Sequence, residues 1–323
     1  MNITLKFLCA AAAAAGFADL THAQPFPAKP VRIVVPFGPG STIDIMGRTI
    51  APKLSEALGQ PVIVENRSGA GGAIGLESVA KSGKDGYTLV IGALGPLAVN
   101  PSLYARKPFD PVKDFAPITT LATGPMIVVV HPNVPARNIK ELVAVAKARP
   151  GKLNYGSPGI GTTNHMAGEL LNLAAGIKLV HVPYKGNAEA LTDLMGGQLD
   201  IVFTGLPPAL AQIQAGRLRA VATTGTKRLP TLPQLQTISE GGLAEASVST
   251  WYGVLAPAGT PREIIDRLHA EIAKTMKNPE IAERFSSQGA DPITNTPDEF
   301  ARTIRDDVTK WAKVIKATGL KLD

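Results

Sequence analysis

Val31-Arg-Ile-Val-Val-Pro-Phe-Gly-Pro-Gly-Ser-Thr-Ile-Asp44 runs from a β-branched strand, through a turn marked by glycine and proline, into the start of a helix. The same order recurs twice. Pro61-Val-Ile-Val-Glu65 leads through Asn66-Arg-Ser-Gly-Ala-Gly-Gly-Ala-Ile-Gly75, and Leu153-Asn-Tyr155 leads through Gly156-Ser-Pro-Gly-Ile-Gly-Thr-Thr-Asn164. Repeated strand, tight loop and helix imply an α/β fold with largely parallel sheets. The glycines let each loop turn sharply and approach a guest. The unpaired N–H groups of a helix's first turn then offer partial positive charge to an anion.

Working outward, the periodicity predicts helices over 43–58, 74–81, 138–149, 162–175, 187–195 and 207–215. Strands are expected at 87–91, 126–130, 179–182, 200–203 and 220–222. Asn100 to Pro125 is proline-rich and reads as irregular. A second α/β series begins at Met126, which puts a domain crossing near Gly124. Trp251-Tyr-Gly-Val-Leu255 reads as a strand returning to the first unit. Thr260-Pro-Arg-Glu263 and Thr296-Pro-Asp-Glu299 each spell a helix start: a capping residue, a proline, and an acid three residues on. In the helix that the second opens, Phe300, Ile304, Val308, Trp311 and Ile315 fall on one face and are expected to pack on the first unit.

Met1 to Lys6 carries one positive charge, and Phe7 to Ala18 is an alanine-rich apolar run too short to span a bilayer. This is a signal-peptide pattern, with cleavage expected after Ala23. Cys9 is the sole cysteine of the 323-residue sequence and lies inside that segment, so no disulfide or thiolate metal site is expected. The remainder is long enough for two domains of ~150 residues each. Lys6 and Asp19 leave together, so the net charge of +7 is unchanged. That excess is scattered, without a basic block or interleaved aromatics, and argues against a nucleic-acid partner.

The chemical signals are sparse. Gly69, Gly71 and Gly75 approximate a dinucleotide fingerprint, but Ile74 stands where the third glycine belongs, and no Walker A motif is present. Neither Ser68 nor Ser157 sits in G-x-S-x-G. His131, His165, His181 and His269 are dispersed, and His165 with Glu169, four apart, reads as a local pair rather than a metal site. No cofactor is expected. Asp44 has two compatible readings: it completes a capping box with Ser41, or it faces a ligand from the loop's mouth. Thr162 and Thr163 can likewise cap the following helix, or join Gly159 and Gly161 in presenting donors to an anion.

These segments resemble the tripartite tricarboxylate transporter receptors, the Bug family of periplasmic solute-binding proteins. The resemblance is carried by Pro36-Phe-Gly-Pro-Gly40 with Asp44, Val64-Glu-Asn-Arg67 with Gly69-Ala-Gly-Gly72, and Asn154 to Thr162 with His165. Val182-Pro-Tyr-Lys-Gly186 followed by Asp193-Leu-Met-Gly-Gly-Gln198, and Trp251-Tyr-Gly253 with Ala256-Pro-Ala-Gly-Thr-Pro261, complete it.

The resemblance implies a type II periplasmic-binding-protein fold. Two α/β lobes joined by a hinge would close like a flytrap on a ligand in the interlobe cleft. Residues 24–124 with 248–323 would form lobe 1, and 125–247 lobe 2. It further implies a periplasmic, monomeric receptor that is not an enzyme, binding a small carboxylate and delivering it to a membrane permease. The alternatives are a sensor docking on a membrane kinase, and an exported enzyme with Asp44 or His165 as general base. By position, the binding residues implied are Phe37, Gly40, Ser41, Thr42 and Asp44 on lobe 1, and Ser157, Gly159, Gly161 and Thr162 on lobe 2, with Asp200 and Thr204 after them.

Three departures stand out. Ser41 replaces a usual glycine, Ala93-Leu94 replaces a pair that usually bears hydroxyls, and Glu189 falls where proline is usual. The first two point to a ligand unlike citrate: a less polar or an aromatic acid.

Overall fold

The structure, a computed structural model, describes residues 26–104, 107–287 and 289–318. The expected signal peptide lies outside the described residues. The strands are β1 (Val31–Val35), β2 (Val62–Asn66), β3 (Thr88–Ala93), β4 (Phe115–Pro125), β5 (Ile127–Val130), β6 (Asn154–Ser157), β7 (Val180–Pro183), β8 (Ile201–Thr204), β9 (Arg219–Thr223), β10 (Ser249–Pro257) and β11 (Asp291–Pro292). They form two sheets, one of order β11-β4-β10-β3-β1-β2 and one of order β7-β6-β8-β5-β9. The chain passes between the sheets at Met126 and returns between β9 and β10. Each sheet is the centre of one α/β lobe.

Both sheets are mixed, which corrects the expectation of largely parallel pairing. β1 lies parallel to β2 and β3, but β10 runs antiparallel to β3 and β4. In the second sheet β6 is parallel to β7 and β8, whereas β5 is antiparallel to β8 and β9. The reason is topological: the strand that follows each crossing, β5 in one sheet and β10 in the other, enters from the hinge side, opposite to the strands of the β-loop-α units. β4, eleven residues long, is the larger miss, since 100–125 reads as irregular. Pro117 sits beside a register shift in the β4–β10 ladder, and on the far side of β4 the short strand β11 pairs only with Thr123 and Ala122, well away from Pro117. A proline's missing N–H is tolerated at such a bulge or free edge.

The helices follow the periodicity closely. They cover Thr42–Leu58, Ala73–Ala80, Ile139–Ala148, Thr163–Ala175, Asn187–Met195, Leu206–Gln214, Arg262–Met276, Pro279–Ser287 and Pro297–Thr318, with a short turn at Asn100–Leu103. The last opens with the expected capping box: Glu299 N donates to Thr296 Oγ1 and Thr296 N to Glu299. Phe300 meets Trp251 edge-on at 5.2 Å, and Gly253 leaves the space its ring fills. At Thr260 the cap expectation fails. Pro261 is itself the flanking residue, and the Thr260 hydroxyl donates to Pro257 O.

Because β1 and β3 on one lobe and β6, β7 and β8 on the other are parallel sets, their C-terminal edges collect the loops that open helices. Ligands of open α/β sheets bind at such edges. Here the two edges face each other.

Candidate functional site

Four helix starts surround one interlobe cavity: Thr42 after β1, Thr163 after β6, Asn187 after β7 and Leu206 after β8. Its empty space, open mouth included, is about 410 Å³. The walls are largely apolar, with Phe37, Ala93, Pro96, Met126, Pro158 and Tyr252. Among the described residues lining it there is no Asp, Glu, Lys, Arg or His. An anion held here is therefore held by helix starts, hydroxyls and amides.

The lobes are closed on each other. A Cβ on Gly95 would stand 2.6 Å from Thr163 N and 2.7 Å from Thr162 Cα, so lobe 1 touches the helix start of lobe 2 backbone to backbone. A Cβ on Gly159 would lie 2.9 Å from Gly71 Cα, and one on Gly205 2.5 Å from Thr42 Oγ1. Both Gly71 and Gly159 also have positive φ, at 59° and 123°, where side chains are strained. The loop 66–75 thus belongs to the closure contact, while its Gly75 lets the next helix press on Pro36 and Arg67.

On lobe 1, Ser41 Oγ caps its helix by accepting from Asp44 N at 3.3 Å. Thr42 Oγ1 is buried and makes no well-formed hydrogen bond. Its neighbour Tyr252 has its phenol pKa pushed up by burial, and the Thr42 hydroxyl pulls it only partly back, a proximity short of a proper bond.

The Asp44 carboxylate is turned into its own lobe. It accepts from Gly40 N (2.9 Å), Arg48 Nε (3.0 Å) and Asn66 Nδ2 (2.8 Å). Burial alone would raise its pKa, but these bonds and the Arg48 charge outweigh it and hold the carboxyl below its usual range. Of the two readings the geometry supports the cap, closed on Gly40 N rather than on Ser41 N.

On lobe 2, Thr162 Oγ1 donates to Gly159 O (2.7 Å) and accepts from His165 N (3.3 Å). Ser157 is fully buried behind the loop, its Oγ 2.7 Å from His181 Nε2 and bonded to both Gly159 O and Gly159 N. Gly161 N donates to His165 Nδ1 at 3.2 Å. The His165 and His181 rings lie 4.2 Å apart, with Tyr155 beside them. Burial pushes His165 down to about 4; burial and then the His165 charge push His181 down to about 3. Both are neutral at pH 7, and His165 shapes the loop by accepting Gly161 N. Glu169 Oε1, 3.9 Å from His165, accepts the hydrogen bond of the Tyr155 hydroxyl instead. Among the described residues no three metal-binding side chains cluster.

Phe37, Ser41, Thr42, Ala93 and Thr162 line the cavity, and Thr204 precedes the lining residue Gly205. Gly40, Asp44, Ser157, Gly159 and Gly161 build the loops from behind. Leu94 is buried facing Leu170 and Trp311 near the hinge instead. Asp200 is a correction. It precedes β8, about 13 Å of strand from Thr204 at ~3.3 Å per residue, and accepts Asn154 N at the far edge of the sheet.

Sequence reading missed Asn187, Tyr252, Met126 and Thr250. Gly186-Asn187 follows β7 as the other loops follow their strands, and that signal was legible. Tyr252 and Met126 reach the cavity only through the crossing strands. Thr163 Oγ1 meets Thr250 Oγ1 at 3.3 Å, and Asn164 Nδ2 holds Phe203 O at 2.8 Å, tying the lobe 2 loop to the hinge and to β8.

A family model described as "Tripartite tricarboxylate transporter family receptor" matches residues 46–320. The protein BugT of Bordetella pertussis is 38% identical over 311 residues, covering 96% of this chain and 95% of that one. The structure of R. palustris Rpa4515 with adipate superposes with a TM-score of 0.89 at 35% identity, over 92% of this chain and 99% of that one. MatC of Rhodopseudomonas palustris with bound malate gives 0.86 at 29% identity, over 90% and 100%.

Proposed function

The chain belongs to the tripartite tricarboxylate transporter receptor family, and from that premise we propose that it captures a small carboxylate in the interlobe cavity and delivers it to a membrane permease. One observation carries the reading. The starts of helices Thr42–Leu58 and Thr163–Ala175, from opposite lobes, meet at an interlobe cavity whose wall, among the described residues, carries no charged side chain. First-turn N–H groups have no acceptor within their own helices, and the helix dipole favours an anion there. The relatives solved with adipate and with malate hold ligands of the same chemistry.

In this reading lobe 1 comprises 24–124 with 248–323 and lobe 2 comprises 125–247. The carboxylate lies between Ser41–Thr42 and Thr162–Thr163. The apolar wall of Phe37, Ala93, Pro96 and Tyr252 faces the body of the ligand, which favours a less polar acid than citrate. The receptor works in the periplasm as a monomer after removal of the segment ending at Ala23. No chemical step is required of it.

Native mass spectrometry of the protein as purified weighs any retained acid directly. Calorimetry of unliganded, refolded protein against mono-, di- and tricarboxylates, aromatic acids included, completes the test. Absence of binding across that panel overturns the proposal.

A further inference from the structure

The four helix starts around the cavity are not equivalent as anion sites. Helix Thr163–Ala175 has no acid in its first turn, and in Thr42–Leu58 the charge of Asp44 is answered by Arg48 at 3.0 Å. Those two ends keep their positive pole. Helix Asn187–Met195 carries Glu189 in its first turn, accepting Lys185 N at 3.1 Å, so its pole is already met by a carboxylate. Helix Leu206–Gln214 begins Leu206-Pro-Pro208, and two prolines remove two of its first-turn donors. Glu189 and the prolines together leave this second pair of helix starts poorly suited to an anion.

That same side nevertheless holds polar groups that lack partners. Asn187, 5% exposed, lines the cavity with Oδ1 buried and unbonded, and Thr204, fully buried beside the lining residue Gly205, has an unbonded Oγ1. Buried polar groups are rarely left unpaired, and a bound molecule is one way to satisfy them. No basic side chain on the wall would balance a second negative charge.

We propose that the cleft selects an acid with one negative charge and, at its other end, a neutral hydrogen-bonding group such as a hydroxyl or carbonyl. Asn187 reads that group, and Glu189 disfavours a dianion. The inference rests on the carboxylate site proposed above and departs from the dicarboxylates named for the two solved relatives.

Two matched series test it on refolded protein by calorimetry: 6-hydroxyhexanoate, hexanoate and adipate, and 4-hydroxybenzoate, benzoate and terephthalate. In whichever series binds, the hydroxy acid is expected to bind about tenfold or more tighter than both partners, the effect of one buried hydrogen bond satisfied. Asn187→Leu should bring the hydroxy and unsubstituted acids together. Glu189→Gln, at an exposed position that leaves packing intact, should raise the affinity for the dianion. A dianion that binds as tightly as the hydroxy acid in the native protein overturns this inference alone. An unaltered dianion affinity in Glu189→Gln removes Glu189 from it. If no acid of either series, nor any of the wider panel, binds, the carboxylate reading falls and this one with it.

Discussion

Gly95→Ala separates closure from folding. Gly95 lies in a helical turn at Gly95–Val99 with no positive φ, where alanine is the better residue by roughly 0.5–1 kcal/mol. Yet the nearest atoms to the added methyl all belong to the other lobe: Thr163 N at 2.6 Å, Thr162 Cα at 2.7 Å and Thr162 C at 2.9 Å. Carbon contacts settle at about 3.5–4.0 Å, so closure would have to stop roughly 1 Å short. The Thr163 helix start would then stand back from the carboxylate. One charged hydrogen bond lost or lengthened is worth about 1.5–3 kcal/mol, a loss in affinity of roughly 10- to 100-fold. The unliganded protein, free to open, should melt at the same temperature or a degree or two higher. Calorimetric titration with an acid identified by mass spectrometry, paired with melting of the ligand-free variant, gives both numbers. Affinity within twofold of the native value would show that the lobes do not need this contact to bind. A sharp fall in the ligand-free melting temperature would place the clash inside the folded lobes.

Asp44→Asn should lose about 1–3 kcal/mol of stability, because Gly40 N, Arg48 and Asn66 all meet its charge, with a smaller loss in affinity; denaturant melts beside titrations compare the two. Thr162→Ala removes the cap at His165 N and the bond to Gly159 O, and should cost about 1–2 kcal/mol in melting and weaken binding by slackening the loop. Stability should depend on pH through His165 and His181. Their folded values, about 4 and about 3, lie below the ordinary 6.5, so the unfolded chain binds more protons between. The contribution is full above pH 6.5 and is lost as pH falls toward 4, by up to about 1.4 kcal/mol per unit for each histidine. Melts across pH 4–8 read this slope, and His165→Gln should flatten it.

The helices between 42 and 214 were legible nearly to the residue because apolar period and caps are local, whereas Pro279–Ser287 was not anticipated. The loops at 37–44 and 156–164 were legible for the same reason, since glycines, hydroxyls and a following amphipathic run suffice to mark a strand-to-helix turn. Asp44 was ambiguous because capping and ligand contact use the same carboxylate at the same position, and only the placement of Arg48 and Asn66 separates them. β4 was hidden by Pro117, whose tolerance depends on a bulge and an unpaired edge that no local window displays. Asp200 misled because a position carried over from the family resemblance marks a strand without saying which end of it reaches the cleft.

The sequence by itself determined the α/β units, the caps of their helices and the three glycine loops, all consequences of backbone preference over a few residues. Only the tertiary structure decided that Gly71 meets Gly159, that Gly95 meets Thr162, and that Asn187 and Tyr252 share a cavity with Thr42. Those contacts join segments far apart in the chain, and they depend on how two sheets face each other across a hinge.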